Sequence, residues 1–220
     1  MVKFYTIEGN IGSGKSTFVK HLKTYFKNYK SIIFLPEPVD EWLTIKDDKE
    51  DMLTKFYRDT KKYAFAFQMM AYISRLSIIK REIEKNPDVV LISERGVFTD
   101  RNVFAKMLYD DGLIEEVEYQ IYNKWFNEFI KEIPLDGIIY IKTEPTKCME
   151  RIIKRNRSGE TLTLDYLNKC HNYHNNWINS YDNVLNLNGD KDKDNYYDYV
   201  PWIQEFNKII GISEPTVSFY

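Results

Sequence analysis

Cysteine is nearly missing, with only Cys148 and Cys170 in 220 residues. Two thiols cannot build a disulfide framework, and neither stands among other zinc-ligand types. That composition points to a reduced, cytoplasmic protein. A surplus of charge of one sign is missing too: 31 basic side chains face 33 acidic ones, for a net charge of −2. No positive field is available to wrap a nucleic acid backbone. Long apolar runs are lacking. Ser31–Leu35 and Val89–Ile92 are far too short to cross a bilayer, so no membrane partner is expected. No secretory or transit segment is expected at the start, because a strand-like pattern begins at Val2. There is no internal repeat, no flexible linker and no Asn-Lys-x-Asp guanine-selecting tetrapeptide, which disfavours a GTPase switch.

What is present is ordinary globular composition, with 43% apolar and 29% charged residues. The length suits one domain of residues 1–220, with about 150 residues per domain as a guide. The surplus of Asn and Lys belongs on the solvated face. Five short apolar runs read as strands: Val2–Ile7, Ser31–Leu35, Val89–Ser93, Gly137–Ile141 and Val184–Leu187. Each is apolar on both faces, as in parallel strands covered by helices. Helical patterns start near Lys15 and run over about Arg58–Lys85, Asp100–Tyr109, Glu115–Glu132, Pro145–Arg155, Thr163–Tyr181 and Tyr199–Ile210. Asn86-Pro87 is a stop signal for the long one. The alternation predicts right-handed crossovers and an open α/β sheet of five parallel strands with helices on both faces. Asp47–Asp51 and Gly189–Asn195 read as charge-rich loops.

The first strand runs into Gly9-Asn10-Ile11-Gly12-Ser13-Gly14-Lys15-Ser16, followed by Thr17. This is G-x-x-x-x-G-K-S between a strand and a helix. Glycines let backbone N–H groups turn inward around a phosphate chain, and the new helix adds its positive end. Lys15 can reach the outer phosphates, and the Ser16 hydroxyl can ligate Mg²⁺. The pattern predicts a bound nucleoside triphosphate.

Ligands of such sheets lie beyond the carboxyl ends of the strands. Two of those ends carry acids, in Pro36-Glu37-Pro38-Val39 and Ser93-Glu94-Arg95-Gly96. Solvated turn acids are common there, but beside a phosphate cradle the pair suits phosphoryl transfer. One carboxylate can help hold the metal while the other takes a proton from an attacking hydroxyl. A phosphate acceptor needs no base, whereas an alcohol benefits from one. Arg95 can neutralise developing charge and fix the geometry of Glu37. Farther on, Arg151 and Arg155 lie four apart on one helical face, followed by Arg157 and Ser158-Gly159. Such a run serves as a solvated basic face or as a lid, at about 151–160, that closes over triphosphate with fork donors.

Taken in order, these residues resemble the deoxynucleoside kinase family, and within it the deoxycytidine/deoxyguanosine kinase group. The resemblance runs from Ile7–Thr17 through Pro36–Val39 with Trp42, Phe65–Gln68 with Arg75, Glu94-Arg95 with Asp100-Arg101 and Phe104-Ala105, to the arginine run and Glu160. It implies the P-loop kinase fold and ATP-Mg²⁺ as donor. It also implies transfer of the γ-phosphate to the 5′-hydroxyl of a deoxynucleoside in nucleotide salvage, and usually a homodimer. By resemblance Glu37 is the general base, and Glu94 with Ser16 holds Mg²⁺. Arg95 orients the acceptor end, Arg151 and Arg155 clamp donor phosphates, and Arg157 contacts the reacting groups. Tyr57 and Glu160 match the residues that bind the sugar 3′-hydroxyl. Gln68 matches the reader of the base edge, Phe67 and Phe104 the residues flanking the base, and Trp42 an aromatic wall. Arg75 and Asp100 match the pair that favours deoxycytidine and purine deoxynucleosides over thymidine. The family usually has Ser where this chain has Gly96, so water or a backbone group must replace that hydroxyl. The loop Gly189–Lys193 matches the family's adenine-sensing loop in position.

A rival reading is a thymidylate-type nucleoside monophosphate kinase, which shares cradle, acids and lid. A nucleotide-binding module without turnover is the non-enzymatic rival. Two decoys fail. Asp190, Asp192 and Asp194 alternate like a calcium loop, but the sixth and twelfth positions hold Asn195 and Pro201. His171 and His174 lack companion ligands and read as surface or packing residues.

Overall fold

The computed structural model describes residues 2–156, 162–193 and 195–212. All five strands form where the apolar runs place them: β1 (Lys3–Glu8), β2 (Ile32–Leu35), β3 (Val90–Glu94), β4 (Gly137–Lys142) and β5 (Val184–Asn188). They build an open, all-parallel sheet in the order β2-β3-β1-β4-β5. The helices are α1 (Lys15–Tyr25), α2 (Val39–Thr44), α3 (Met52–Arg58), α4 (Thr60–Lys85), α5 (Val97–Thr99), α6 (Lys106–Asp110), α7 (Glu116–Phe129), α8 (Pro145–Arg155), α9 (Leu164–Ile178) and α10 (Val200–Ile210). Architecture and motif together are those of the P-loop kinase fold.

Alternation along β1 divides the core. Tyr5 and Ile7 pack on one face with Phe18 and Leu22 of α1 and Ile203 and Phe206 of α10. Phe4 packs on the other with Tyr72 and Leu76 of α4 and Tyr122 and Phe126 of α7. Full burial of such side chains contributes about 1.5–3 kcal/mol each. The sheet is therefore a rigid platform, and β1, at its centre, carries the cradle. Asn and Lys are largely solvated, but Asn10, Lys15 and Asn207 are buried.

The long helix expected over about Arg58–Lys85 is α4, which starts at Thr60, and α3, ending at Arg58, is a further helix that the hydrophobic pattern did not reveal. The Asp59 N–H closes α3 on Lys55 O, and the Asp59 carboxylate caps α4 through Lys62 N at 3.2 Å. The joint turns α3 across the top of α4. Asn86 ends α4 as expected. The stretch expected over Asp100–Tyr109 starts earlier, at Val97, and its Asp100–Ala105 segment is a π-helical turn, a form frequent at functional sites. Thr163 caps α9 and Glu115 caps α7, each just outside the helix it begins. A 3₁₀ turn at Tyr196–Tyr199 precedes α10.

Candidate active site

Gly9, Gly12 and Gly14 all have positive φ, at 146°, 81° and 102°. At Gly12 a Cβ would lie 2.6 Å from Cys148 O, so only glycine lets the loop pass this close to α8. Lys15 curls back over the loop, its Nζ donating to Gly9 O at 3.0 Å and Asn10 O at 2.7 Å. Burial and the neighbouring Arg95 charge lower its pKa, Glu94, Glu37 and Glu8 oppose them, and the ammonium settles at about 8. Ile11, Gly12, Gly14, Lys15, Ser16 and Thr17 line a cleft of about 690 Å³. Asn10 turns away from it: its Nδ2 donates to Leu167 O and its Oδ1 accepts from Ile11 N, both at 2.8 Å. Its side chain braces the loop against α9. Ser13 is braced from behind, its carbonyl accepting from Thr143 Oγ1 at 3.1 Å.

Both strand-end acids reach the same cleft. Ser16 Oγ donates to Glu94 Oε1 at 2.6 Å, so hydroxyl and carboxylate touch at the start of α1. Glu37, 25% exposed, accepts from Arg75 Nη2 at 2.8 Å and Arg95 Nη1 at 3.2 Å. Both contacts end on Oε1, so Oε2 lies outside them. Burial pushes the Glu37 carboxyl up, but Arg75, Arg95 and Lys15 outweigh it and hold it at about 2.

The remaining cleft is a flat slot. Its floor is Arg75, whose Nε donates to Asp100 Oδ2 at 2.9 Å. The Arg75 guanidinium also lies 5.1 Å from the Trp42 ring, and Trp42 Nε1 is fixed by Ser74 Oγ at 2.8 Å. Both partners of this pair are buried, Arg75 at 5% and Asp100 at 2% exposure. Burial works against the Arg75 charge, but Asp100 and Glu37 more than offset it and hold the guanidinium protonated. Gln68 and Phe67 enter from α4, and the buried Gln68 Oε1 has no partner among the described residues. An orphaned buried amide oxygen calls for a polar ligand. Phe104 lies across the slot beneath the Arg95 guanidinium, 5.0 Å from it.

The structure thus brings Glu37, Trp42, Tyr57, Phe67, Gln68, Arg75, Glu94, Arg95, Asp100, Phe104, Arg151 and Arg155 to one cleft. Arg157 and Glu160 lie outside the described residues, as does the rest of the expected lid after Asn156. Arg151 Nη2 pairs with Asp192 Oδ1 at 3.1 Å. Sequence reasoning missed the wall made by Leu53 and Phe56 of α3, and Val39, Ala71, Leu162 and Tyr166. Phe56 stacks on Phe67 at 4.4 Å between ring centres. The signal was weak, since α3 is short and follows a charged loop.

At Gly96 the backbone N–H donates to Glu8 Oε1 at 3.0 Å, a bond that does not depend on the side chain at this position. A Cβ there would lie 2.6 Å from Thr6 Cγ2. Asp190 accepts from Glu144 N, Asp192 pairs with Lys147 and Arg151, and Asp194 lies outside the described residues. His174 is fully buried and stacks on Tyr140, and burial lowers its pKa to about 3. Cys148 and Cys170 are free and buried.

A family model described as deoxynucleoside kinase matches residues 5–210. A mitochondrial deoxyguanosine kinase of Xenopus laevis is 34% identical over 212 residues, covering 84% of this chain and 79% of the relative. A probable deoxycytidine kinase of fowlpox virus is 36% identical over 200 residues, 86% of this chain and 80% of the relative. Deoxycytidine kinase 2 of Gallus gallus is 36% identical over 195 residues, 79% and 72% of the two chains.

Proposed function

The chain belongs to the deoxynucleoside kinase family, an ATP-dependent phosphotransferase acting on deoxynucleosides, and from that premise we propose how its residues divide the work. Glu37 accepts the proton of the 5′-hydroxyl. Held at about 2, it is ionised throughout the working range but is a weak base. It therefore takes the proton late, when bonding to phosphorus has made the hydroxyl acidic, in the loose transition state of phosphoryl transfer. Arg95 keeps Glu37 in place and faces the charge that develops on the transferred group. Lys15, the loop N–H groups and the start of α1 hold the donor phosphates. Arg151 and Arg155, with Arg157, close over them.

The pairing of Ser16 with Glu94 fits Mg²⁺, which takes one or two protein oxygens and completes its shell with phosphates and water. Bound there, the ion would supply positive charge that neutralises the donor phosphates. Tyr57 and Glu160 read the sugar, Gln68 the base edge, and Phe67, Phe104 and Trp42 enclose the ring. Arg75 and Asp100 floor the pocket with charge, which favours deoxycytidine and purine deoxynucleosides and crowds the thymine methyl.

The observation that carries this reading is Glu37 between Arg75 and Arg95. A monophosphate acceptor is already ionised and needs no base, whereas here a carboxylate, Glu37, stands between the two arginines. The thymidylate-type alternative is disfavoured for that reason. Homodimerisation is supported by Val117, Ile121 and Trp125, a stripe exposed on α7, and by Ile73, exposed on the adjacent α4. Free buried cysteines support a cytoplasmic setting, although the Xenopus relative is named mitochondrial. No helix among the described residues is long and apolar enough to cross a membrane. The balanced charge supports no nucleic acid partner.

The test is a panel of the four deoxynucleosides and their monophosphates with ATP and Mg²⁺, read as phosphorylated product. Deoxycytidine and purine deoxynucleosides should be converted faster than thymidine, and monophosphates should be inert. Conversion of monophosphates alone would refute the assignment.

A further inference from the structure

We infer that Glu8 is a positioning residue, whose buried carboxylate fixes the turn after β3 and so aims Arg95 at Glu37. The inference rests on the reading of Glu37 and Arg95 given above. Glu8 ends β1 immediately before the cradle, yet its carboxylate does not enter the cleft. It is 0% exposed and lies under the neighbouring strand end. Oε1 accepts the Gly96 N–H at 3.0 Å, and Oε2 accepts the Thr99 hydroxyl at 2.5 Å. One side chain thereby ties both ends of the turn Gly96–Thr99 to the centre of the sheet.

The turn needs tying. Arg95 has φ of 64°, a left-handed conformation that a residue with a Cβ adopts only when its surroundings over-determine it. Three bonds do so here. Arg95 N–H donates to Ile7 O at 3.0 Å, Ser93 Oγ donates to Arg95 O at 2.6 Å, and the next N–H, of Gly96, goes to Glu8. The first two hold the arginine itself, and the third fixes the peptide that follows it. The product of that geometry is the guanidinium lying 5.0 Å from the Phe104 ring and 3.2 Å from Glu37 Oε1.

A carboxylate is a costly group to bury, and an apolar side chain would fill the same space. Its presence is explained by the donors it serves. Burial raises the Glu8 pKa, while the Thr99 hydroxyl, the Arg95 charge and the Gly96 N–H oppose that rise. Glu8 touches no atom placed in the reaction, so its influence passes through Arg95.

A double-mutant cycle isolates that route. The measured quantities are kcat, the deoxycytidine KM and the melting temperature for wild type, Glu8→Ala, Glu8→Gln, Arg95→Gln and Glu8→Ala/Arg95→Gln. Glu8→Ala should lower kcat by about tenfold to about a hundredfold, the scale of a misplacement of about 1 Å, and leave KM within about threefold. Glu8→Gln should retain more activity, because its amide oxygen still accepts the Gly96 N–H. In the Arg95→Gln background, removing Glu8 should change kcat by no more than about twofold, since residues acting as a unit are non-additive. An equal loss of kcat with and without Arg95 would overturn the inference, as would a wild-type kcat in Glu8→Ala. If Glu8→Ala does not fold, Thr99→Val, which removes only the hydroxyl, takes its place in the cycle with the same two outcomes. A wild-type protein that phosphorylates no deoxynucleoside would refute the reading of the reaction itself, and that result is read before any variant is made.

Discussion

Arg75 holds Glu37 by a 2.8 Å ion pair, and the same guanidinium holds Asp100 at 2.9 Å. In the proposed reading, the floor of the base pocket and the group that receives the proton are thus two ends of one bridge, and specificity and turnover are coupled through it.

Replacing the bridge with Arg75→Met and Asp100→Ala should therefore change two things. The preference for thymidine over deoxycytidine should rise by about tenfold or more, the scale of a small steric change in a pocket. Turnover with every nucleoside should fall, because Glu37 loses its nearer guanidinium. Arg75→Met alone should be less stable than the double variant by about 3 kcal/mol, because it strands the buried Asp100 charge. Specificity ratios and melting curves check these statements. Identical specificity profiles would remove the pair from base selection.

The pH dependence should be lopsided. Lys15 has its pKa lowered to about 8 and Glu37 has its pKa lowered to about 2. For ATP, kcat/KM reports the free enzyme and should fall as pH rises through about 8, where Lys15 loses its proton. Glu37 should contribute no acid limb down to about pH 5, since its carboxyl stays ionised well below its ordinary value. Its folded value lies below the unfolded one, so the stability it lends is full above about pH 4.5 and is lost only as pH falls toward 2. An acid limb near pH 6 that disappears in Glu37→Gln would contradict this.

Thr6 and Gly96 share one volume. A Cβ at position 96 would sit 2.6 Å from Thr6 Cγ2. Gly96→Ser should therefore destabilise the protein by about 1–3 kcal/mol through overpacking. Adding Thr6→Ser, which removes that methyl and keeps the hydroxyl, should recover most of the loss. Thermal or urea unfolding of the four proteins in the cycle measures it. Additive losses would mean that the two positions do not compete for space.

The parts legible in the sequence are those set by local rules. The cradle is a contiguous pattern whose glycines answer to backbone geometry, and the five strands are apolar runs that need no partner to be seen. Glu37 and Glu94 were readable because strand ends point to the crevice. The short helix α3 was not, because its seven residues follow a charged loop and carry too few turns to show a hydrophobic period. Nor was the wall of Leu53 and Phe56, which takes its place only when α3 folds over α4. The bond from Arg75 to Glu37 joins residues 38 apart, and that from Glu8 to Gly96 residues 88 apart. Such pairings are products of the sheet order. Side-chain direction also eluded the motif: Asn10 belongs to the phosphate loop, yet its amide serves α9.

The most direct measurement is single-turnover phosphoryl transfer to deoxycytidine by Glu37→Gln, together with equilibrium binding of the nucleoside. The chemical step should slow by at least about a hundredfold, the lower range for general-base catalysis, while nucleoside affinity changes only modestly. Transfer at the wild-type rate in this variant would contradict the account.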